Sequence, residues 1–169
     1  MTPPRLAPGL ILWFLIAGCG PATAPPHGSL ELRFRLPAGA TAGLAEVRLA
    51  PAWGGANRGE DRNDGYVRVA LVAENFVLPT RGDRPVTVAR GEIAPGAYAH
   101  VFVETPAVTG RRADGTVVAV TSHIEPIARS FELAPGGHVS IDIELIVLPR
   151  GQRFGGGFEI FVKDAVAAR

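Results

Sequence analysis

From residue 29 onward, apolar and polar positions alternate along the chain with the period of a strand. Leu30-Glu31-Leu32-Arg33-Phe34-Arg35-Leu36 is strict, with four apolar side chains on one face and three charges on the other. That pattern predicts a half-buried antiparallel strand with one wet face. Pro37 to Gly39 turn the chain. Ala45, Val47 and Leu49 then alternate with Glu46 and Arg48, and Val67, Val69 and Leu71 form the next strand, followed by Phe76-Val77-Leu78 and Val86-Thr87-Val88. Residues 97–104 place Tyr98, His100, Phe102 and Glu104 on one face and Ala97, Ala99, Val101 and Val103 on the other. Strands over Thr116–Val120, Ile127–Leu133 and Val139–Val147 continue the series, the last with Ser140, Asp142 and Glu144 facing outward. Phe158–Val162 adds a final strand after Gly155-Gly156-Gly157, and Asp164–Arg169 reads as a short frayed helix or a tail. No stretch of residues 29–169 carries a helical period. Eight to ten short strands with regular turns predict an all-β fold, an antiparallel β-sandwich over residues 29–150. Residues 151–169 follow as a Gly-rich loop, final strand and tail.

Composition supports the turns. Glycine occurs 21 times and proline 15 times, with few aromatics, which fits strands joined by tight turns. Glu92-Ile93-Ala94-Pro95-Gly96 recurs as Glu132-Leu133-Ala134-Pro135-Gly136. Each Pro-Gly pair suits the centre of a type II turn, with proline fixing φ and glycine taking φ > 0. The repetition is read as two hairpins with one turn chemistry rather than as an internal duplication.

The amino terminus has a different pattern. Arg5 precedes the apolar run Leu10–Ile16, and Leu6–Gly18 holds 13 uncharged residues. A membrane-spanning helix needs about 17–25, so the run is too short to span and reads as a signal helix, residues 1–18. Leu15-Ile16-Ala17-Gly18-Cys19, with the single cysteine of the chain after two small residues, resembles a bacterial lipobox. The resemblance implies cleavage before Cys19 and lipidation of that residue. A buried acyl CH₂ contributes about 0.8 kcal/mol, and two or three chains make attachment lasting. Gly20 stands where an aspartate would imply inner-membrane retention, so in a two-membrane bacterium the outer membrane is expected. Residues 19–28 form the lipidated cysteine and a Pro/Ala-rich tether.

The order of motifs resembles the domain-of-unknown-function 4382 lipoproteins. The matching residues are Gly28-Ser29-Leu30, Pro95-Gly96-Ala97-Tyr98 and Val139-Ser140-Ile141-Asp142-Ile143. Ile93-Ala94-Pro95-Gly96-Ala97-Tyr98 also resembles an edge of transthyretin-like sandwiches. The resemblance implies a transthyretin-like or Ig-like scaffold and transfers no functional residue beyond Cys19.

Charge excludes one class of partner. Removing the signal takes away only Arg5 and leaves the basic and acidic side chains balanced at sixteen each. Nucleic-acid binding calls for a basic patch or stripe, so no nucleic-acid partner is expected.

No catalytic constellation stands out. There is no Gly-x-Ser-x-Gly elbow, and His27, His100, His123 and His138 are scattered. His100 and Glu104 share a strand face but lie about 13 Å apart, too far to share zinc. Glu60-Asp61-Arg62-Asn63-Asp64-Gly65 offers oxygen ligands without calcium-loop spacing. Arg81-Gly82-Asp83 reads as a turn, and Gly155-Gly156-Gly157 lacks the Lys-Ser/Thr of a phosphate loop. No metal, no cofactor and no catalytic residue are expected. Trp53 and Tyr66 bracket the long irregular stretch Pro51–Gly65, and long loops on rigid scaffolds are where binding tends to lie. They are the candidate ligand-binding residues. The resulting expectation is a non-enzymatic, membrane-anchored envelope module with an envelope protein or a glycan as partner, the first alternative being a carbohydrate-binding accessory domain and the second an envelope enzyme.

Overall fold

The computed structural model describes residues 26–61, 65–80, 84–151 and 156–168. Every regular element among them is a strand: β1 (Gly28–Arg35), β2 (Glu46–Ala50), β3 (Trp53–Asn57), β4 (Val67–Leu71), β5 (Phe76–Leu78), β6 (Val86–Ile93), β7 (Gly96–Glu104), β8 (Ala107–Arg111), β9 (Val117–His123), β10 (Ile127–Leu133), β11 (His138–Pro149) and β12 (Phe158–Ala168). The all-β class is as the alternation predicts. The signal helix, Cys19 and most of the tether lie outside the described residues.

The strands form one sheet of twelve in the order β10-β7-β3-β4-β6-β1-β11-β12-β9-β8-β2-β5. The sheet is mixed where the sequence predicts antiparallel pairing throughout, because β1 runs parallel to β11 and β12 runs parallel to β9. It is also curled. β6, β1, β11 and β12 make the centre, and an arm extends from each side. β10, at the tip of one arm, reaches β12, and β5, at the tip of the other, reaches β6. Every strand supplies at least one side chain to a single buried apolar cluster.

The parallel pair follows from two matching patterns. Leu30, Leu32 and Phe34 stand beside Val139, Ile141 and Ile143, while Arg33 and Arg35 stand beside Asp142 and Glu144. A slip of one residue would set arginines against isoleucines, because strand side chains alternate with period 2. The register is therefore fixed by both faces at once.

Two segments depart from the sequence reading for visible reasons. β3 lies inside the stretch expected to be irregular, because Gly54-Gly55-Ala56 has poor strand propensity. Its small residues serve close approach. A Cβ on Gly55 would sit 2.5 Å from the Val67 carbonyl oxygen, and one on Gly54 would meet Ala89 at 3.0 Å. β12 continues to Ala168 where a frayed helix or tail is expected, and pairs with both β11 and β9. Leu145 pairs with Val162 and Glu144 with Asp164, so Lys163 is an extra residue, a bulge. The bulge shifts the phase, so the buried positions Ile160 and Ala165 are an odd number apart, and simple alternation misses the second half of the strand.

The two Pro-Gly turns have the expected glycine conformation, with φ of +134° at Gly96 and +67° at Gly136. Neither closes a hairpin. β6 and β7 are not neighbours in the sheet, nor are β10 and β11. Each turn instead carries the chain between the centre of the sheet and one arm.

Gly55→Ala is expected to lower stability by about 1–3 kcal/mol, since backbone stands where the methyl would go. Gly59→Ala, in open space with its nearest neighbour at 3.7 Å, should stay within about 0.5 kcal/mol of the wild type. Urea unfolding of the two variants checks the contrast.

Candidate functional site

β7 presents His100, Phe102 and Glu104 on the outer side of its arm, and its pairing partner β3 presents Trp53 beside Glu104 and Gly55 beside Phe102. Backbone of Val67 and Arg68 closes over the bare Gly55. Trp53 and Phe102 meet edge to face at 5.1 Å, Trp53 and Tyr66 at 5.5 Å, and Tyr66 and Phe102 at 6.0 Å. All three are half-buried. The Arg68 guanidinium lies 4.7 Å from the centre of the Trp53 ring. Edge-to-face pairs contribute about 0.5–1.5 kcal/mol each beyond their buried area, so this is a stable cluster.

Trp53 and Tyr66, the pair singled out by sequence, are thus brought together, but they back the site rather than line it. The ring on the site itself is Phe102. It borders a depression of about 430 Å³ that also takes Glu104, Pro106, Thr121 and Ser122. Phe102 was visible in the sequence only as one residue of an alternating strand, and Arg68 only as a charge on β4. A larger depression of about 620 Å³ lies along β2 and β5, between Leu44, Glu46, Val77 and Thr80. Arg81-Gly82-Asp83 lies outside the described residues.

Tyr98 shares the outer side of β7 but is buried. Arg58 covers its ring at 4.8 Å and Phe131 stacks on it at 5.1 Å. The Tyr98 hydroxyl donates to the Ala94 carbonyl at 2.6 Å, and Arg58 donates to the Ala94 and Pro95 carbonyls at 2.9 and 2.7 Å. Arg58 therefore clamps the first Pro-Gly turn.

The outer face of β1 and β11 carries a polar network. Arg33 donates to Asp142 at 2.6 Å, and Arg35 donates to Glu144 at 2.5 Å. Bulging at Lys163 brings its ammonium to 2.6 Å from the other Glu144 oxygen. Glu31 accepts from the Thr87 hydroxyl and, at 3.1 Å, from that of Ser140. His138 links Ser29 at 2.7 Å to Ser140 at 2.9 Å. This places a hydroxyl, an imidazole, a second hydroxyl and a carboxylate in series, with the His138 side chain 58% exposed on the open sheet face. The face expected to be wet is half-covered by its own charge pairing.

The Lys163 bond, joined by Arg35, holds the Glu144 carboxyl below its ordinary value against the opposing effect of burial. The Thr87 bond does the same for Glu31, helped by Ser140, Arg33 and His138. Carboxyls depressed in the folded state contribute stability above their ordinary titration range and lose it as pH falls through the folded value.

The other sequence candidates stay apart. His100 contacts the Gly59 carbonyl at 3.2 Å, and His123 stacks on Phe161 at 4.8 Å with Glu159 nearby. Among the described residues no group of three His, Cys, Asp or Glu side chains is placed to hold a metal ion. Residues 62–64 and Gly155 lie outside the described residues, as does Cys19, and among the described residues no helix is long and apolar enough to cross a membrane.

Glu144→Gln is expected to be less stable than the wild type at pH 7 by about 1.5–3 kcal/mol, the range for hydrogen bonds to charged groups. Its stability should also fall less steeply below about pH 4.5, the ordinary carboxyl value. Denaturant unfolding at a series of pH values reads both effects, and parallel curves for the two proteins would refute the assignment.

No protein-family model, curated protein or solved structure matches this chain.

Proposed function

We propose that this protein is a non-catalytic binding or structural module of the bacterial cell envelope, exported by residues 1–18 and held at a membrane through lipid on Cys19. The observation that carries this reading is the run Leu15-Ile16-Ala17-Gly18-Cys19 at the end of a short apolar segment, followed by a proline-rich tether and then a strand-rich domain. The domain is a rigid platform with a single core, suited to holding a surface rather than closing on a substrate. The same proposal takes the curled sheet as a sandwich of the transthyretin-like or Ig-like kind, its arms folded over the central strands. The Tyr98 hydroxyl bond to a backbone carbonyl four residues upstream favours that, since sandwiches use such a tyrosine to pin a corner. In a two-membrane bacterium the outer membrane is the expected location.

A second reading, a carbohydrate-binding accessory domain, is favoured by one feature. Phe102, backed by Trp53 and Tyr66, borders a depression that also carries Glu104, Thr121 and Ser122. A ring beside a carboxylate and hydroxyls suits a sugar, whose apolar face stacks while its hydroxyls bond.

Intact mass of membrane-extracted protein tests the first reading. The wild type should begin at Cys19 and be heavier by a diacylglycerol or more, and Cys19→Ala should be soluble and unmodified. A wild-type chain cut elsewhere and carrying no lipid would overturn it. Calorimetric titration with soluble β-linked oligosaccharides tests the second. Binding that weakens about tenfold in Phe102→Ala would support it, tenfold being 1.4 kcal/mol. Equal affinity in the variant, or none in the wild type, would contradict it.

A further inference from the structure

The chain enters the sheet at a fixed place. The Gly136 N–H donates to the His27 carbonyl at 3.2 Å, and the Ser29 N–H donates to the Gly137 carbonyl at 2.8 Å. These bonds hold the first described residues against the turn between β10 and β11. The pairing of Gly28 with Ile93 brings the end of β6 and the Ala94-Pro95-Gly96 turn to the same end of the molecule. The pairing of Leu133 with Gly96 adds the start of β7. One end of the domain is therefore made of His27 and the two Pro-Gly turns.

β7 runs away from this end for nine residues, from Gly96 to Glu104. At about 3.4 Å per residue that carries the chain ~27 Å. Phe102 and Glu104 lie near the far end. β11 runs the same way as β1 and finishes at Pro149, which pairs with Phe158, and Phe158 in turn pairs with Val120. Val120 and Thr121 thus lie at the far end too, which is how Thr121 comes to share the depression with Phe102 and Glu104.

Seven residues, and so eight Cα-to-Cα steps, separate Cys19 from His27. Even fully extended they reach at most about 28 Å, at 3.3–3.6 Å per residue. That is about the length of the domain, so turning the domain over would need the tether drawn out completely, which its chain entropy opposes. The mature chain carries no net charge to draw it to lipid, because its basic and acidic side chains are equal in number. An electrostatic pull toward an anionic surface needs clustered Lys and Arg.

We infer that the anchored domain stands with its two Pro-Gly turns toward the bilayer and the Phe102–Glu104–Thr121 depression away from it. The depression then faces the space beyond the membrane surface and not the lipid itself. This inference rests on lipidation at Cys19.

The test uses the full lipidated protein in neutral phosphatidylcholine vesicles with an acceptor dye on the headgroups. Lipidation consumes the only native thiol, so single cysteines can carry a donor dye. Pro135→Cys and Glu132→Cys mark the near end, and Thr121→Cys and Pro106→Cys mark the far end, all at exposed positions. Two positions at each end guard against one variant failing to fold. Energy transfer should be greater from both near-end positions than from both far-end positions. Equal transfer, or greater transfer from the far end, overturns the orientation while leaving the anchor intact. Unlabelled wild-type protein that does not float with the vesicles removes the anchor, and the orientation with it.

Discussion

The pairing of β1 with β11 is the constraint on which the rest of the structure depends. It joins the first and the last-but-one strands in parallel, across more than a hundred residues of intervening chain. Parallel neighbours cannot be closed by a short turn, so all the strands between must be routed round this pair. β6 pairs with the free edge of β1, β12 with the free edge of β11, and the two arms grow outward from there. On the inner side the pair contributes Leu30, Leu32, Phe34, Ile141, Ile143 and Leu145, all essentially inaccessible to solvent. On the outer side it sets Arg33 beside Asp142 and Arg35 beside Glu144. These ion pairs also serve register, since a slip of one residue would set charges against apolar side chains.

Much of this was legible in the residues. The strict alternation of β1 and of β11 located both strands and named their inner faces. The topology was not legible, because alternation says which face is inward and nothing about which neighbour a strand takes. Parallel and antiparallel partners read alike when each has one apolar face. β3 was hidden by Gly54 and Gly55, whose value lies in how closely β4 and β6 approach them. The far half of β12 was hidden by Lys163, where the bulge moves the apolar phase by one residue. The repeated Ala-Pro-Gly signal correctly marked two turns with positive-φ glycine, but turn chemistry does not distinguish a hairpin from a passage between the centre of the sheet and an arm.

The candidate site was legible in part. Trp53 and Tyr66 stood out as aromatics around an unusual stretch, and the fold brings them together. The residue that borders the depression, Phe102, comes from a distant strand, and only the β3–β7 pairing reveals it. Arg58 was silent for the same reason, because its partners Ala94, Pro95 and Tyr98 are far along the chain. The same end-to-end geometry connects the site to the proposed anchor. His27 leaves the sheet at one end, and Phe102 and Thr121 lie toward the other.

Amide hydrogen exchange followed residue by residue tests the central role of the β1–β11 pair most directly. Amides whose exchange needs global opening mark the most stable cooperative unit of a fold. The account predicts that the slowest amides lie in Leu30–Phe34 and Ile141–Leu145, exchanging only when the whole sheet unfolds. Exchange in these segments as fast as in the edge strands β5 and β10 would contradict it.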